Sequence, residues 1–295
     1  MDLPDSESMA AALEATGNYR ILRRMKPRQH FSDPAGSTAF IGVILDVETT
    51  GTDTAGDEVI ELGMIKFAFT AAGRVLQVVD EFQSFREPLL PITPEITAIT
   101  GITEEMVAGH RIEDAHVAAF LDDAKVVIAH NAGFDRRFCE RHWRGFDALP
   151  WACSLTEIDW KVEGFEGQKL GQLLGQIGMF HDGHRATEDC RALLEILNHQ
   201  LQSGDTVLSK LLTSARQSTI RIWAAGAPFG KKDVLKARGY RWSDGIDTDH
   251  KAWWIDVIDS AYAEEVAYLE AEIFGWSPNL PTRRLNAFSR YSVRA

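Results

Sequence analysis

Two carboxylates stand at the end of the first strongly apolar segment of this chain. The run Phe40–Leu45 is nearly all apolar, and Asp46 and Glu48 follow it. Such a run predicts a strand buried on both faces, and residues i and i+2 of a strand point to the same face. The two carboxylates therefore lie side by side, where they repel each other and are costly to desolvate. Either a bound cation offsets this repulsion, or both acids are solvated at the exit of the strand.

Two later segments carry residues that could join such a site. Asp135 lies where the short predicted strand Val126–Ala129 passes into a helix. His184 and Asp189 lie at the start of the predicted helix Ala186–Leu201. Each also has an ordinary interpretation: Asp135 as a helix N-cap, Asp189 as an acid that interacts with the helix dipole, and the histidine as a solvated loop residue. Ligands that are all oxygen would select a hard divalent ion such as Mg²⁺ or Mn²⁺.

Taken together, the three segments resemble the DEDDh 3′→5′ exonuclease superfamily, whose members include the proofreading epsilon subunit of bacterial DNA polymerase III. The segment DVETTG matches the first motif of that superfamily at Asp46 and Glu48. The second motif matches at Asp135, and the third, HxAxxD, matches at His184 and Asp189. The motifs occur in the family order and at ordinary family spacing. The resemblance implies a ribonuclease H-like fold.

The resemblance, which spans about residues 39–201, also implies a two-metal hydrolysis of the 3′-terminal phosphodiester bond. Two Mg²⁺ or Mn²⁺ ions about 4 Å apart can stabilise both the attacking and the leaving oxygen. His184 would accept the proton of the attacking water, a task that suits an imidazole near neutral pH. The residues expected to hold the metal are Asp46, Glu48, Asp135 and Asp189.

Three segments are expected to contact the terminal nucleotide. Their candidate substrate-binding residues are Thr49, Thr50, Glu95, Thr100, Asn131 and Phe134. The two adjacent threonines could act through hydroxyl or backbone groups, or serve only the turn. The segment from Pro94 to Thr103 resembles the family loop beside the terminal nucleotide, but Thr100 stands where many relatives have histidine. Phe134 could instead be a core residue.

Charge is distributed unevenly along the 295 residues, whose formal net charge is −12. Residues 37–204 carry 13 basic and 27 acidic side chains, whereas residues 207–243 carry eight basic and one acidic. An acidic body that collects cations is thus joined to a surface that could meet a polyanion. No apolar stretch approaches the roughly 18 residues of a membrane span, and no secretory pattern opens the sequence. Three widely spaced cysteines suit a reducing cytoplasm.

The apolar pattern predicts an α/β fold, a ribonuclease H-like mixed sheet flanked by helices, with a small C-terminal α+β module. The expected parts are an N-terminal helical and basic arm (1–36), the exonuclease domain (37–204), a strand–helix–strand–helix module (205–278) and an irregular basic tail (279–295). The basic stretch of the arm, residues 20–28, is expected to be solvated.

The predicted module interleaves basic and aromatic side chains. They are Phe229, Lys231, Lys232, Lys236, Arg238, Tyr240, Arg241, Trp242, Trp253 and Trp254. This mixture could bind single-stranded nucleic acid by charge and stacking, or the aromatic residues could form the core of the module.

The favoured function is a metal-dependent 3′→5′ exonuclease that acts on single-stranded or frayed DNA ends, in proofreading or repair and in the company of a polymerase. One alternative keeps the chemistry and changes the substrate to RNA, as in the RNase T and oligoribonuclease branches. Another is a nucleic-acid-binding accessory subunit that bridges a polymerase and its template. No membrane partner is expected.

Overall fold

The computed structural model describes residues 5–34, 36–245 and 250–294. Residues 1–4 and 35 of the predicted arm, 246–249 of the predicted module and 295 of the predicted tail lie outside this description. The strands are β1 (Arg23–Arg24), β2 (Ala39–Thr49), β3 (Val59–Thr70), β4 (Val75–Phe85), β5 (Val126–Ala129), β6 (Trp151–Cys153), β7 (Met179–Phe180), β8 (Thr219–Ala224), β9 (Arg241–Trp242), β10 (Trp253–Ile258) and β11 (Thr282–Leu285).

The α-helices are α1 (Ser6–Ala15), α2 (Pro94–Thr100), α3 (Glu104–Val107), α4 (Asp114–Leu121), α5 (Ala132–His142), α6 (Leu170–Gln176), α7 (Ala186–Asn198), α8 (Val207–Arg216), α9 (Lys232–Ala237) and α10 (Tyr262–Tyr268). A π-helical segment, Leu269–Phe274, continues α10. Within the described ranges, no helix has the length and apolarity needed to cross a bilayer.

The body of the protein is built on a five-stranded sheet of order β4–β3–β2–β5–β6. β2 pairs with β3, and β3 with β4, in antiparallel fashion, whereas β2–β5 and β5–β6 are parallel. The carboxyl ends of β2 and β5 therefore open at the same edge. In α/β sheets, this is the edge at which ligands bind.

Alternate residues of the central strands face two different helical layers. Ile44 of β2 and Ile128 of β5 pack in one core with α7 and α8. Their neighbours Val43 and Val127 pack in a second core with α4 and α5. Because both faces are covered, these strands are apolar along most of their length. The predicted ribonuclease H-like sandwich, a mixed sheet flanked by helices, is confirmed.

The N-terminal arm is attached to the body, although most basic side chains of its stretch are exposed, as expected: Arg20, Arg24, Lys26 and Arg28. β1 pairs in parallel with β7, and Met25 is 7% exposed within the core that contains α7. Arg23 forms an ion pair with Glu7 at 2.8 Å. Arg28 pairs with Glu195 of α7. A sequence count of basic residues could not show that Arg23 and Arg28 have acidic partners.

The boundary predicted after Gly204 falls inside the core of the body. α8, which the sequence pattern did not reveal, buries Val207, Leu208 and Leu211 completely against the core shared with α7. The body thus extends to about Arg216. Removing everything after Gly204 would strip this helix from the core, because the buried side chains of α8 have no other layer to pack on.

The C-terminal module is a second, antiparallel sheet of order β11–β8–β10–β9. Ile222 of β8 and Ile255 of β10 pack with Leu235 of α9 and with Leu269, which follows α10, so one face of this sheet is covered by helices. β11 lies within residues 279–295, which were expected to be irregular. The division at residue 278 is therefore also corrected, since the tail supplies an edge strand of the module.

Beyond β11, the tail returns to the body and is held by Arg136 of α5. This guanidinium is fully buried and pairs with Glu140 at 2.7 Å. It donates hydrogen bonds to the carbonyl oxygens of Ala287, Phe288 and Arg290 at 3.1, 2.7 and 2.7 Å. A buried guanidinium needs such partners for its donors. The tail and α5 therefore depend on each other.

We expect Arg136→Gln to lower the free energy of unfolding by about 3 kcal/mol, because it leaves buried carbonyl oxygens without their donor and removes one of the donors to Glu140, which keeps Ser292 and Arg294. The tail beyond residue 286 should also become sensitive to protease. Chemical denaturation and limited proteolysis measure both effects. Arg144→Gln, at an exposed arginine, is the control. Equal stability of the two variants would contradict this role of Arg136.

Candidate active site

The site lies at the carboxyl end of β2, where Asp46 and Glu48 occupy alternate positions of the strand. Asp46 stands opposite Gly63 of β3. A Cβ atom at Gly63 would come within 2.5 Å of the backbone of Ala186. The absence of a side chain at this position lets the start of α7 rest directly on the sheet. That close approach brings Asp189, in the first turn of α7, to the two carboxylates of β2.

Asp46, Glu48 and Asp189 form a compact group of acids. Each offers one carboxylate oxygen, and these oxygens all lie within 4.8 Å of one another. All three side chains are partly buried. The sequence prediction that the first and third motifs converge agrees with this geometry.

Asp135 approaches the same group from the other face of the sheet. It lies in the first turn of α5, is 2% exposed, and accepts a hydrogen bond from the backbone N–H of Val47 at 3.3 Å. Its oxygens are not part of the 4.8 Å group, but its charge acts on Asp46. The helix-cap alternative is not what the geometry shows, because Asn131 occupies the N-cap position of α5 and the carboxylate of Asp135 reaches across to β2.

Burial and mutual repulsion oppose ionisation throughout this group. Burial, followed by the charges of Asp135 and Asp189, raises the pKa of Asp46 well above its ordinary value. Burial, with the charges of Asp189 and Glu61 next, raises the pKa of Glu48 to about 8. Burial raises the pKa of Asp135 to about 8. The protein thus holds acids that are unfavourable when ionised unless a cation joins them.

These residues fit a divalent metal. The donors are carboxylate oxygens, they converge within bonding reach of one centre, and burial with mutual repulsion keeps the pKa values of Asp46 and Glu48 above their ordinary range. Hard ions such as Mg²⁺ and Mn²⁺ take this ligand set.

The loop before α7 places two histidines differently. His184 has a left-handed backbone (φ 68°) and an exposed side chain, and its backbone N–H donates to Asp189 Oδ2 at 2.9 Å. The ring of His181 instead contacts the carboxylate, with Nε2 at 2.6 Å from Asp189 Oδ1. The sequence analysis did not single out His181, because it lies outside the HxAxxD pattern and no regular spacing connects it with Asp189.

A fifth carboxylate, Glu61, was also missed. It is fully buried on β3 opposite Glu48. Arg185 donates to it from Nη2 at 3.0 Å, and the backbone N–H of Ala186 donates at 3.3 Å. Gln83 also hydrogen-bonds to Glu61. This acid therefore has its own partners, and it ties the residue that follows His184 to the sheet. Its only sequence signal is a glutamate inside an otherwise apolar strand.

The threonines proposed to bind substrate have partners within their own segments. Thr49 is 8% exposed and donates to the carbonyl of Gly51 at 2.6 Å. Thr50 donates to Asp57 at 3.1 Å, which stabilises the turn. Thr100 is 5% exposed and donates to the carbonyl of Ile96, the residue four positions earlier, at 2.9 Å. Their hydroxyls serve local structure, which leaves backbone groups for a ligand.

The remaining candidates differ in exposure. Glu95 is exposed in the first turn of α2. Asn131 is exposed, has a left-handed backbone (φ 96°) and directly precedes α5. Phe134 is partly buried and packs on Phe138 with ring centroids 4.9 Å apart. Both the core interpretation and a role at the rim are compatible with this position of Phe134.

Sequence comparisons with known proteins identify the family to which this chain belongs. The family model described as Exonuclease (RNase T) matches residues 43–197, slightly more than half of the chain. The PolC-type DNA polymerase III of Thermotoga maritima is 34% identical over 163 residues, which are 52% of this chain and 11% of that protein. The same enzyme of Caldanaerobacter subterraneus subsp. tengcongensis is 32% identical over 167 residues, 54% of this chain and 11% of that protein.

This chain therefore spans about a tenth of the length of those relatives. Among solved structures, exonuclease X in complex with 5′-overhanging duplex DNA aligns with a TM-score of 0.42 and 23% identity, and covers 59% of this chain and 99% of that one. Because the matched family model includes β2, α5 and α7, the chain belongs to the exonuclease family of hydrolytic nucleases, within the DEDD superfamily of 3′→5′ exonucleases.

Proposed function

We propose that this protein is a divalent-metal-dependent 3′→5′ exonuclease that removes nucleotides from single-stranded or frayed DNA ends. The observation that carries the proposal is the group of three carboxylates within 4.8 Å, with the buried Asp135 beside it. DNA is favoured over RNA because the PolC-type relatives are DNA polymerases. The same relatives support a role in proofreading or repair beside a polymerase.

In this proposal, Asp46, Glu48 and Asp189 hold the metal, and Asp135 completes the ligand set from α5. When bound, two divalent ions supply charge stabilisation for the attacking and leaving oxygens. The net negative charge of the body then agrees with a polyanionic substrate, since phosphates would meet cations and not carboxylates. Three buried free cysteines fit the proposed cytoplasmic location.

His184 is the proposed general base. Its exposed imidazole can accept the proton of the attacking water at a ring nitrogen. The bond from its backbone N–H to Asp189 and the anchoring of Arg185 by Glu61 fix the backbone on both sides of the side chain. A base that acts on a metal-site water must be held near the ligands, and these two contacts provide that restraint.

The test of the function is digestion of matched 5′-labelled DNA and RNA oligonucleotides with Mg²⁺ or Mn²⁺. We expect a ladder of shortened DNA products that keep their label, because cleavage begins at the other end. Faster digestion of RNA would favour the exoribonuclease alternative. Binding without hydrolysis of either would favour the accessory-subunit alternative.

We expect Asp46→Asn to lower kcat by about 10³-fold or more, since a weakened metal site loses several kcal/mol of charge stabilisation. In EDTA, the variant should be as stable as the parent or more stable, because one repelling charge is gone. Kinetics and thermal melts measure the two effects. Full activity of the parent in excess EDTA would disprove metal dependence.

The two histidines of the loop provide a matched pair. His184→Ala should lower kcat by about 10²-fold or more with a small change in KM, as expected for loss of a general base. His181→Ala removes an imidazole from the same loop and should have a clearly smaller effect on kcat. Steady-state kinetics with saturating Mg²⁺ compares them. A larger loss of kcat in the His181 variant would indicate that His181, and not His184, is the general base.

Without divalent ions, we expect stability to fall as pH rises from 5 to 8. The pKa values of Glu48 and Asp135 are raised to about 8 by burial, so the folded protein binds more protons than the unfolded chain over this range. At about 1.4 kcal/mol for each pKa unit, a loss of several kcal/mol is expected in chemical denaturation with EDTA. Glu48→Gln should flatten the dependence. A stability that rises with pH in this window would refute the assignment.

A further inference from the structure

One face of the C-terminal sheet carries no helix of its own module within the described residues. On this face, Trp254 of β10 stands opposite Trp223 of β8 and opposite Arg241 of β9. Asp256 stands opposite Arg221 on the same face. α9 and α10 cover the opposite face. On this helix-free face Trp223 and Arg221 are buried, whereas Trp254 is partly exposed and Arg241 is exposed.

Trp254 is held in a fixed orientation. The guanidinium of Arg221 lies 4.0 Å from the centre of the Trp254 ring and forms two hydrogen bonds to Asp256, at 2.8 and 2.9 Å. Arg221 is itself 8% exposed, whereas Arg241 is exposed, with its guanidinium 5.4 Å from the same ring. An aromatic ring ordered in advance, with an exposed arginine beside it, is suited to stacking and phosphate contact.

A cleft of about 1270 Å³ separates this face from the body. Thr219, Arg241 and Trp254 line one wall, and segments of residues 155–168 line the other. The volume exceeds the roughly 300–1,000 Å³ of a site for one small molecule. The cleft therefore has room for a longer, chain-like ligand.

The cleft lies beside the catalytic edge of the body. Residues 155–168 of its lining follow β6, whose carboxyl end opens at the same edge as those of β2 and β5, because the three strands are parallel. The carbonyl oxygen of Gln168 accepts a hydrogen bond from Nε2 of His130, which directly follows β5, at 2.8 Å.

Two residues that line the cleft have buried polar atoms without a hydrogen-bond partner among the described residues. Arg290 is 6% exposed and pairs with Glu157 at 3.0 Å through Nη1, yet its Nε has no partner. Thr219 Oγ1 is likewise buried and unpartnered. Both residues line the cleft. Buried polar groups normally find partners, so a ligand or ordered water is expected there.

The charges that line the cleft are mixed. Arg241 is exposed on the sheet side. On the other side, Lys161 is exposed beside Asp159 and Glu166. Asp256, on the sheet, is already paired with Arg221. A polyanion in the cleft would therefore place its phosphates at Arg241 and Lys161 and away from the two acids of the other side.

We propose that the helix-free face of the C-terminal sheet binds the single strand of substrate DNA and guides it through the cleft to the active site. Bases stack on Trp254, and phosphates contact Arg241. The proposal rests on the proposed exonuclease function for its substrate, but its test measures binding separately.

The test uses the full chain, because truncation after Gly204 would remove α8 from the core. Binding of a 5′-fluorescein oligothymidylate of 16 nucleotides is measured by anisotropy in the Asp46→Asn background, where hydrolysis is blocked. The variants are Trp254→Ala, Trp254→Phe and Arg241→Gln. Trp242→Ala is the matched control, since Trp242 is 52% exposed in the same sheet but pairs with Trp253 on the opposite face.

We expect Trp254→Ala to raise Kd about 10-fold and Trp254→Phe to restore most of the affinity, because a stacking platform is lost and then replaced. Arg241→Gln should make the slope of log affinity against log salt shallower by about 0.7, the value for one phosphate contact. If Trp254→Ala fails to fold, Arg241→Gln, which changes an exposed side chain, still tests whether this face binds DNA. Trp242→Ala should bind within about twofold of the parent.

Unchanged affinity and salt slope in the Trp254 and Arg241 variants would overturn the proposal, as would an equal loss in Trp242→Ala. Hydrolysis of a dinucleotide with Mg²⁺ by the otherwise unchanged protein reports the proposed function independently. In the active protein, Trp254→Ala should lower the ratio of kcat/KM for the 16-mer to that for the dinucleotide about 10-fold. Binding that depends on Trp254 in a protein without hydrolytic activity would refute the exonuclease function and keep the binding surface.

Discussion

Asp46, Glu48 and Asp189 hold their carboxylates within 4.8 Å of one another, with the buried Asp135 beside them. Repulsion among these charges opposes folding, so the surrounding structure must overcome it. Two apolar cores, one on each face of the sheet, press α7 and α5 against β2. Packing over such cores stabilises far more than the repulsion costs, and Gly63 allows the helix to come close enough. The acids are therefore positioned by the cores, not by each other.

The buried acids fall into two groups, according to whether donors pair with their carboxylates. Glu61 receives Arg185, Gln83 and a backbone N–H, and these partners compensate its charge. Among the described residues, Asp46 and Glu48 have no comparable side-chain donor, and burial raises the pKa of Glu48 to about 8. Asp189 contacts only the ring of His181 and the backbone N–H of His184. A compensated carboxylate serves as an anchor, whereas an uncompensated group attracts a cation. The contrast assigns a structural task to Glu61 and a binding task to its neighbours on β2, although all lie at the same end of the sheet.

Segments outside the central sandwich are joined to it by specific contacts. β1 adds a parallel partner to β7, immediately before the histidine loop, and α8 fills the core beneath α7. The tail passes from the second sheet to the buried guanidinium of Arg136. These contacts connect the module to the body through two segments, α8 with β8 and β11 with the tail. The cleft between the two sheets is bounded by parts that are each fixed to the same core.

The sequence by itself determined the fold class and the four acids of the candidate site, because both follow from local signals. Continuous apolar runs predict strands covered on both faces, and Asp46, Asp135 and Asp189 each follow a strand or begin a helix. Which side chains pair with one another followed only from the tertiary structure. His181 reaches Asp189, Arg185 reaches Glu61, and the arginines of the arm find acids on other elements. Such pairings depend on the close approach of distant segments, which no periodicity or local spacing records, and so the same basic residues that look free in the sequence are already occupied in the fold.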